Sequence, residues 1–328
     1  MTKLKVAAVH ASPVFLDREA TVEKICALID EGGRQDVRLM VFPEVYLPGM
    51  PYWINMYAPM AQLPMNVRYA AESVEVPGPE IKRVQLAARR AQTYVVLGVS
   101  EREGGSLYNT QVYIDDQGRI LGKHRKLQPT FAERFIWAQG DGSTLHVWDT
   151  PIGKLGGLIC WEHTMNLARQ ALILKGIQIH AASWPAYSTV AGWTEVFDPQ
   201  VDAMCRAHAV CGQCFVIVAQ NPVTQEMLDL ITSELGPQEL MTTGGGWSGV
   251  IRPMGVMAAG PHVGLEEKLV VADIDLGEIA FLKSMLDSAG HYARPEVLRL
   301  VVDAEPKSPL EERGTIPMQE PIVLAEED

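Results

Sequence analysis

The sequence predicts an α/β protein built as a four-layer αββα sandwich: two mixed β-sheets packed face to face, with helices on both outer faces. Three observations predict it. Strand-like and helix-like segments alternate along most of the 328 residues. Two hairpins interrupt that alternation, and a simple doubly wound parallel sheet has no need of them. No Pro/Gly/Ser-rich linker divides residues 1–303, and no internal repeat is visible there, so one large domain holds all the elements.

The elements follow in order. KVAAVHAS is a strand, and TVEKICALIDEG places Val22, Ile25, Cys26 and Ile29 on one helical face. VRLMVF is a continuous apolar strand that ends at Pro43-Glu44. IKRVQLAARRAQ is an amphipathic helix, and YVVLGVSER the next strand. TQVYIDDQGRILGKHRK reads as a hairpin around residues 115–118. KLGGLIC is a strand, LARQALILKG a helix closed by Gly176, and IQIHAASW a strand. A longer helix covers about 194–211 and leads into the strand CFVIVAQ. GWSGVIRPMGVMAAG forms the second hairpin, KLVVADIDL the last strand and LGEIAFLKSMLD a final helix. From residue 304 to 328 the chain is rich in Pro and Glu without a clear period, which predicts an extended tail.

Composition narrows the function. The net charge of −12 repels phosphate backbones, which argues against a nucleic-acid partner. No apolar run approaches the roughly 18 residues that span a bilayer, and the first residues read as a strand rather than a signal peptide. The five cysteines, at 26, 160, 205, 211 and 214, are an odd set that fits a reducing compartment, and a cytoplasmic location is expected. Cys211-Gly-Gln-Cys214 is formally a CxxC pair. It lies across a helix-to-strand passage, the reverse of a redox motif, and has no second pair to complete a zinc site, so packing thiols are expected.

In open α/β architectures, sites gather beyond the carboxyl ends of strands. Three such ends carry reactive groups. VRLMVF delivers Glu44; the first hairpin delivers His124, Arg125 and Lys126, with Glu133 shortly after; GGLIC delivers Cys160, followed by Trp161, Glu162 and His163. Singly, each has an ordinary reading as a surface carboxylate, a solvated basic hairpin end or a packed thiol. His163 as a papain-like base for Cys160 is disfavoured, because the partner of a catalytic cysteine usually comes from elsewhere in the fold. Glu162 is expected to position the turn.

Taken together, the motifs resemble the nitrilase branch of the carbon–nitrogen hydrolase superfamily. The segments that carry the resemblance are PE followed by YLPGMPYW, LYNTQVYIDDQGRILGKHRKL, HRKLQPTFAER, AQGDGS, LGGLICWEH and LDSAGHYARPE, in that order between about residues 4 and 302. The resemblance implies the αββα sandwich already expected, and a catalytic set of Glu44, Lys126, Glu133 and Cys160 with no metal or organic cofactor. Trp161, directly after the cysteine, favours the nitrilase branch over the amidase and carbamoylase branches. Asn166-Leu167 stands where the branch often has Pro-Leu, which bears on the pocket wall rather than the reaction.

The implied reaction is hydrolysis of a nitrile by two waters to an acid and ammonia, through a cysteine thioimidate and a thioester. Glu44 is the base, Lys126 and the Trp161 backbone N–H the donors that meet negative charge, and Glu133 a group that holds Lys126 or the entering water. Tyr52, Trp53, Trp184 and Pro185 are expected, with Trp161, to wall a pocket suited to aryl or arylaliphatic nitriles. An amidase, or an amide-forming nitrile or cyanide hydratase, of the same superfamily is the nearest alternative, and a catalytically silent oligomeric scaffold the alternative of another class. The resemblance also implies self-association into dimers and larger or spiral homo-oligomers, with LARQALILKG and the helix near 194–211 as contact faces.

Overall fold

The computed structural model describes residues 3–308. The first sheet is assembled from β1 (Lys3–His10), β2 (Val37–Val41), β3 (Tyr94–Glu103), β4 (Ser106–Ile114), β5 (Ile120–Arg125) and β12 (Lys268–Asp275), in the order β12-β1-β2-β3-β4-β5. The second holds β6 (Trp148–Thr150), β7 (Gly153–Ile159), β8 (Ile179–Trp184), β9 (Phe215–Gln220), β10 (Ser248–Ile251) and β11 (Met257–His262), in the order β6-β7-β8-β9-β10-β11. In each sheet three central strands are parallel, one flank carries a single antiparallel strand and the other an antiparallel hairpin. The two halves therefore share one topology, although their sequences show no repeat. A sheet position demands only apolar alternation and a turn, which many sequences supply.

Three stacked apolar cores establish the four layers. One lies between the outer face of the first sheet and helices α1 (Arg18–Arg34) and α3 (Pro79–Ala91), with Ile25, Ile29, Ile81 and Val84 against Met40, Val95 and Leu97. A second lies between the sheets, where Val6, Leu39 and Val96 meet Leu155, Ile179 and Ile217. The third lies beneath α4 (Asn166–Leu174) and α5 (Phe197–Gly212), with Leu172, Val201 and Cys205 on Leu158 and Val218. The parallel strands are buried on both faces and so read as unbroken apolar runs in the sequence.

Two helices have no counterpart among the expected elements. α2 (Leu63–Glu72) has proline at its start and buries only Met65 and Tyr69, too few for a visible period. α6 (Gln225–Leu235) carries Met227, Leu228 and Ile231 on one face, a pattern that was legible. The helix expected over LGEIAFLKSMLD is α7, confined to Gly277–Lys283. α2 and α6 contribute to a fourth apolar cluster, which also holds Tyr52, Trp53 and Trp137. The expected tail begins within the described residues. Residues 304–308 are exposed, and the Lys307 N–H donates to Asp141 at 2.7 Å. Residues 309–328 lie outside the described residues. No described helix is long and apolar enough to cross a membrane.

Candidate active site

β2 ends at Val41, and the chain then runs alongside the middle of β3, past Gly98. A Cβ at Gly98 of β3 would stand 2.2 Å from the Pro43 carbonyl oxygen and 2.7 Å from the Val45 nitrogen, so only glycine admits this loop. Glu44 is thereby pressed into the interior. Side chains alternate along β5 and just beyond it: Lys123 and Arg125 face one way, His124 and Lys126 the other. The ladder continues past the strand end through Lys126 N–H to the Asn109 carbonyl at 2.8 Å. Glu133 follows in a short 3₁₀ turn, Phe131–Phe135, whose capping box joins it to Thr130.

Cys160 ends β7 in a left-handed conformation, φ +51°, which costs a non-glycine residue roughly 1–3 kcal/mol. Local bonds over-determine it. The Glu162 carboxylate accepts from the Ile159 N–H and the Leu127 N–H, both at 2.7 Å, and lies 3.1 Å from His124 Nε2. Burial opposes the charge on Glu162, but His124 and these backbone donors hold its carboxyl below the usual range. Glu162 thus ties the cysteine turn to the strand end that carries Lys126, the positioning role expected of it.

The four polar side chains meet in the interior, each essentially without solvent exposure. Lys126 Nζ donates to Glu44 Oε1 at 2.7 Å and to Glu133 Oε2 at 2.6 Å. Asn109 Nδ2 donates to the same Glu44 oxygen at 2.6 Å, and the Thr130 N–H to the same Glu133 oxygen at 2.8 Å. The other oxygens, Glu44 Oε2 and Glu133 Oε1, are buried without a hydrogen-bond partner. Carboxylate oxygens of Glu44 and Glu133 and the Cys160 sulfur all lie within 4.8 Å of one another. That spacing is also compatible with a metal ion, but the Lys126 ammonium already bridges the two carboxylates.

The electrostatics follow from burial. Desolvation raises the Glu44 carboxyl to about 7, with Lys126 pulling down and Glu133 pushing up. Burial alone would discharge Lys126, but Glu133 and Glu44 hold it firmly protonated. The Cys160 thiol is pushed well above its ordinary value by burial and the two carboxylates, against the pull of Lys126 and of the Trp161 N–H. Cys160 therefore rests as a neutral thiol beside a carboxyl poised near neutrality, an arrangement that could pass a proton from sulfur to Glu44.

His163 lies beside the thiol in sequence but turns its ring to the backbone rather than to the sulfur. Its Nδ1 bonds the Cys160 carbonyl oxygen at 2.6 Å, and its ring stacks on Trp184. A cavity of about 540 Å³ adjoins the site, lined among others by Trp161, Tyr187, Trp193, Phe197 and, of the four polar residues, Glu133 alone. Of the aromatic residues expected there, Trp161 lines it. The lining does not include Tyr52, Trp53, Trp184 or Pro185. Trp53 is sealed in the fourth cluster with its Nε1–H on Asn66, and Trp184 lies under His163 and against Phe197. Tyr52 stands behind the site, its hydroxyl accepting from the Ala186 N–H at 3.0 Å beside Pro185. The residues missed were Asn109, Tyr187, Trp193 and Phe197. An asparagine inside an apolar strand and three aromatics in YSTVAGWTEVF were the available signals. Cys211 is exposed and Cys214 buried, so that pair does not share one environment.

Residues 5–284 match the carbon–nitrogen hydrolase family, and the chain belongs to it. It is 39% identical over 304 residues to a nitrilase of Pseudomonas syringae pv. syringae, covering 92% of this chain and 90% of that one. It is 40% identical over 299 residues to an aliphatic nitrilase of Rhodococcus rhodochrous, covering 90% and 81%. A carbon–nitrogen hydrolase from Helicobacter pylori shares the fold, with a TM-score of 0.72 at 19% identity over 92% of this chain and all of that one.

Proposed function

We propose that this protein hydrolyses an organic nitrile to the carboxylic acid and ammonia, with Cys160 as nucleophile. The observation that carries the reading is the convergence of one thiol and two half-bonded carboxylates around a single buried ammonium. The family and its nitrilase relatives support the same reaction class.

Glu44 Oε2, free of other bonds, takes the thiol proton as sulfur attacks the nitrile carbon. One C–N π bond opens, and the proton passes to nitrogen to give a thioimidate. Charge developing on that nitrogen is met by the Lys126 ammonium and the Trp161 N–H. Water, deprotonated by Glu44, adds to the thioimidate carbon; nitrogen leaves as ammonia and a thioester remains. A second water releases the acid and restores the thiol. Glu133 holds Lys126 through Oε2 and offers Oε1 to the entering water. The aromatic walls Trp161, Tyr187, Trp193 and Phe197 support an aryl or arylaliphatic substrate.

Two further readings belong here. Leu167 and Leu174 on α4 and Val210 on α5 are exposed and apolar, which supports self-association through these helices into dimers and larger homo-oligomers. Five free cysteines support the reducing conditions of the cytoplasm.

The test is release of acid, amide and ammonia from aryl, arylaliphatic, aliphatic and dinitrile substrates, from cyanide and from the matching amides. Wild type is expected to give acid and ammonia from aryl-bearing nitriles. Cys160→Ala should give none, and Glu133→Gln should fold but turn over at least about 100-fold more slowly. Turnover of amides alone would move the protein to the amidases, and full activity in Cys160→Ala would end the mechanism.

A further inference from the structure

Beneath the cysteine turn lie three buried imidazoles that the proposed reaction does not use: His163, His180 on β8 and His208 on α5. Their bonding fixes where the hydrogens are. His163 Nδ1 is 2.6 Å from the Cys160 carbonyl oxygen, and its Nε2 is 2.9 Å from Nε2 of His180. A carbonyl only accepts, so Nδ1 of His163 carries hydrogen. Burial lowers this ring to about 4, so near neutrality it has one hydrogen and its Nε2 is bare. His180 must then donate from Nε2, which leaves its Nδ1 as the atom without a partner. A directed chain runs from the second sheet to the nucleophile: His180 Nε2–H to His163 Nε2, then His163 Nδ1–H to the Cys160 oxygen.

That oxygen belongs to the same planar peptide as the Trp161 N–H. The two point in opposite directions, so holding one aims the other. The Trp161 N–H lies near enough to the Cys160 sulfur to favour its thiolate. A hydrogen bond accepted by the carbonyl also polarises the N–H of its own peptide. Because Cys160 sits at φ +51°, its own backbone preference does not hold this plane in place.

We infer that His163 is a positioning residue: its Nδ1–H clamps the Cys160–Trp161 peptide so that the Trp161 N–H meets the charge developing on substrate nitrogen, and His180 fixes the His163 tautomer. The inference rests on the reading of Cys160 as nucleophile. The reacting sulfur faces Glu44, Lys126 and Glu133. The His163 ring packs against Trp184, His180 and His208, and the charges of Glu162, Arg169 and Lys126 act on it.

Asparagine and leucine separate the clamp from simple packing. In His163→Asn, the side-chain Nδ2 stands as many bonds from the backbone as histidine Nδ1 and can donate to the carbonyl. His163→Leu has similar bulk and no donor. Turnover per Cys160 thiol should fall about 10- to 100-fold in His163→Leu, with KM within about threefold of wild type. The rate of iodoacetamide alkylation of Cys160 should shift to higher pH in the same variant, because the thiolate loses an aimed donor. His163→Asn should restore most of both, and His180→Leu should show a smaller loss of the same kind.

Unchanged turnover and an unchanged alkylation profile in His163→Leu would overturn the inference. If that variant does not fold, ¹⁵N imidazole spectra of wild type decide: a neutral Nδ1–H tautomer at His163 is expected, and an Nε2–H tautomer overturns it. Alkylation reads the thiol without substrate. A wrong nitrile assignment would therefore show as inactive wild type with the alkylation contrast intact.

Discussion

Two buried ion clusters stand side by side on the end of β5 and are built to opposite rules. Arg125 and Lys123 turn to one face and meet Glu101. That carboxylate accepts from Arg125 at 2.7 and 2.9 Å, from Thr110 at 2.9 Å and from Lys123, so both its oxygens are occupied. Burial opposes its charge, but these donors bring its carboxyl below the usual range. One residue on, Lys126 turns to the other face and meets two carboxylates with a single ammonium. Glu44 and Glu133 each keep one oxygen bare, and Glu44 rises to about 7. A saturated cluster holds strands together. An unsaturated one stores unmet hydrogen-bonding capacity, which a thiol proton, a water or a developing charge can satisfy.

The comparison is easiest to break at Lys126. Lys126→Met leaves two carboxylates buried together, and turnover should fall by at least about 10³-fold while stability drops by about 3–5 kcal/mol. Steady-state kinetics and denaturant midpoints read the two effects, and turnover within tenfold of wild type would erase the distinction. Glu101→Gln should do the reverse. It should cost about 3 kcal/mol of stability, while turnover per folded molecule stays within about threefold.

The last and smallest contrast is in sign. Glu44 has a folded value above its ordinary 4.5, so between about 4.5 and 7 the folded state binds the extra proton and stability falls as pH rises. Glu101 is lowered, so its contribution is present above 4.5 and is lost as pH falls through its folded value. Denaturant midpoints against pH should show a local slope of up to about 1.4 kcal/mol per unit between 4.5 and 7 that disappears in Glu44→Gln. A slope unchanged in that variant would mean Glu44 is not held near neutrality.

Much of this was legible in the chain. Strand ends mark themselves where an apolar run gives way to charge, and Glu44, Lys126 and Cys160 all stand at such places. The pocket was less legible. Trp53 and Trp184 were expected in it because tryptophans near a reactive end invite that reading, but packing against Tyr69 and His163 claims them for the core. Tyr187, Trp193 and Phe197 come from a segment without regular period until α5 begins, so neither a 2-residue nor a 3.6-residue pattern announces the face they present.

By itself the sequence determined the layers, the two hairpins and which polar residues stand at the strand ends, because hydrophobic period and residue type are local properties. Tertiary structure alone decided which oxygens of Glu44 and Glu133 stay bare, that one ammonium serves both, and that His163 turns to a carbonyl rather than to the thiol. The first two depend on contacts between residues as far apart as 44, 126 and 133, brought together by the fold, and the third on the packing of the His163 ring against His180 and Trp184.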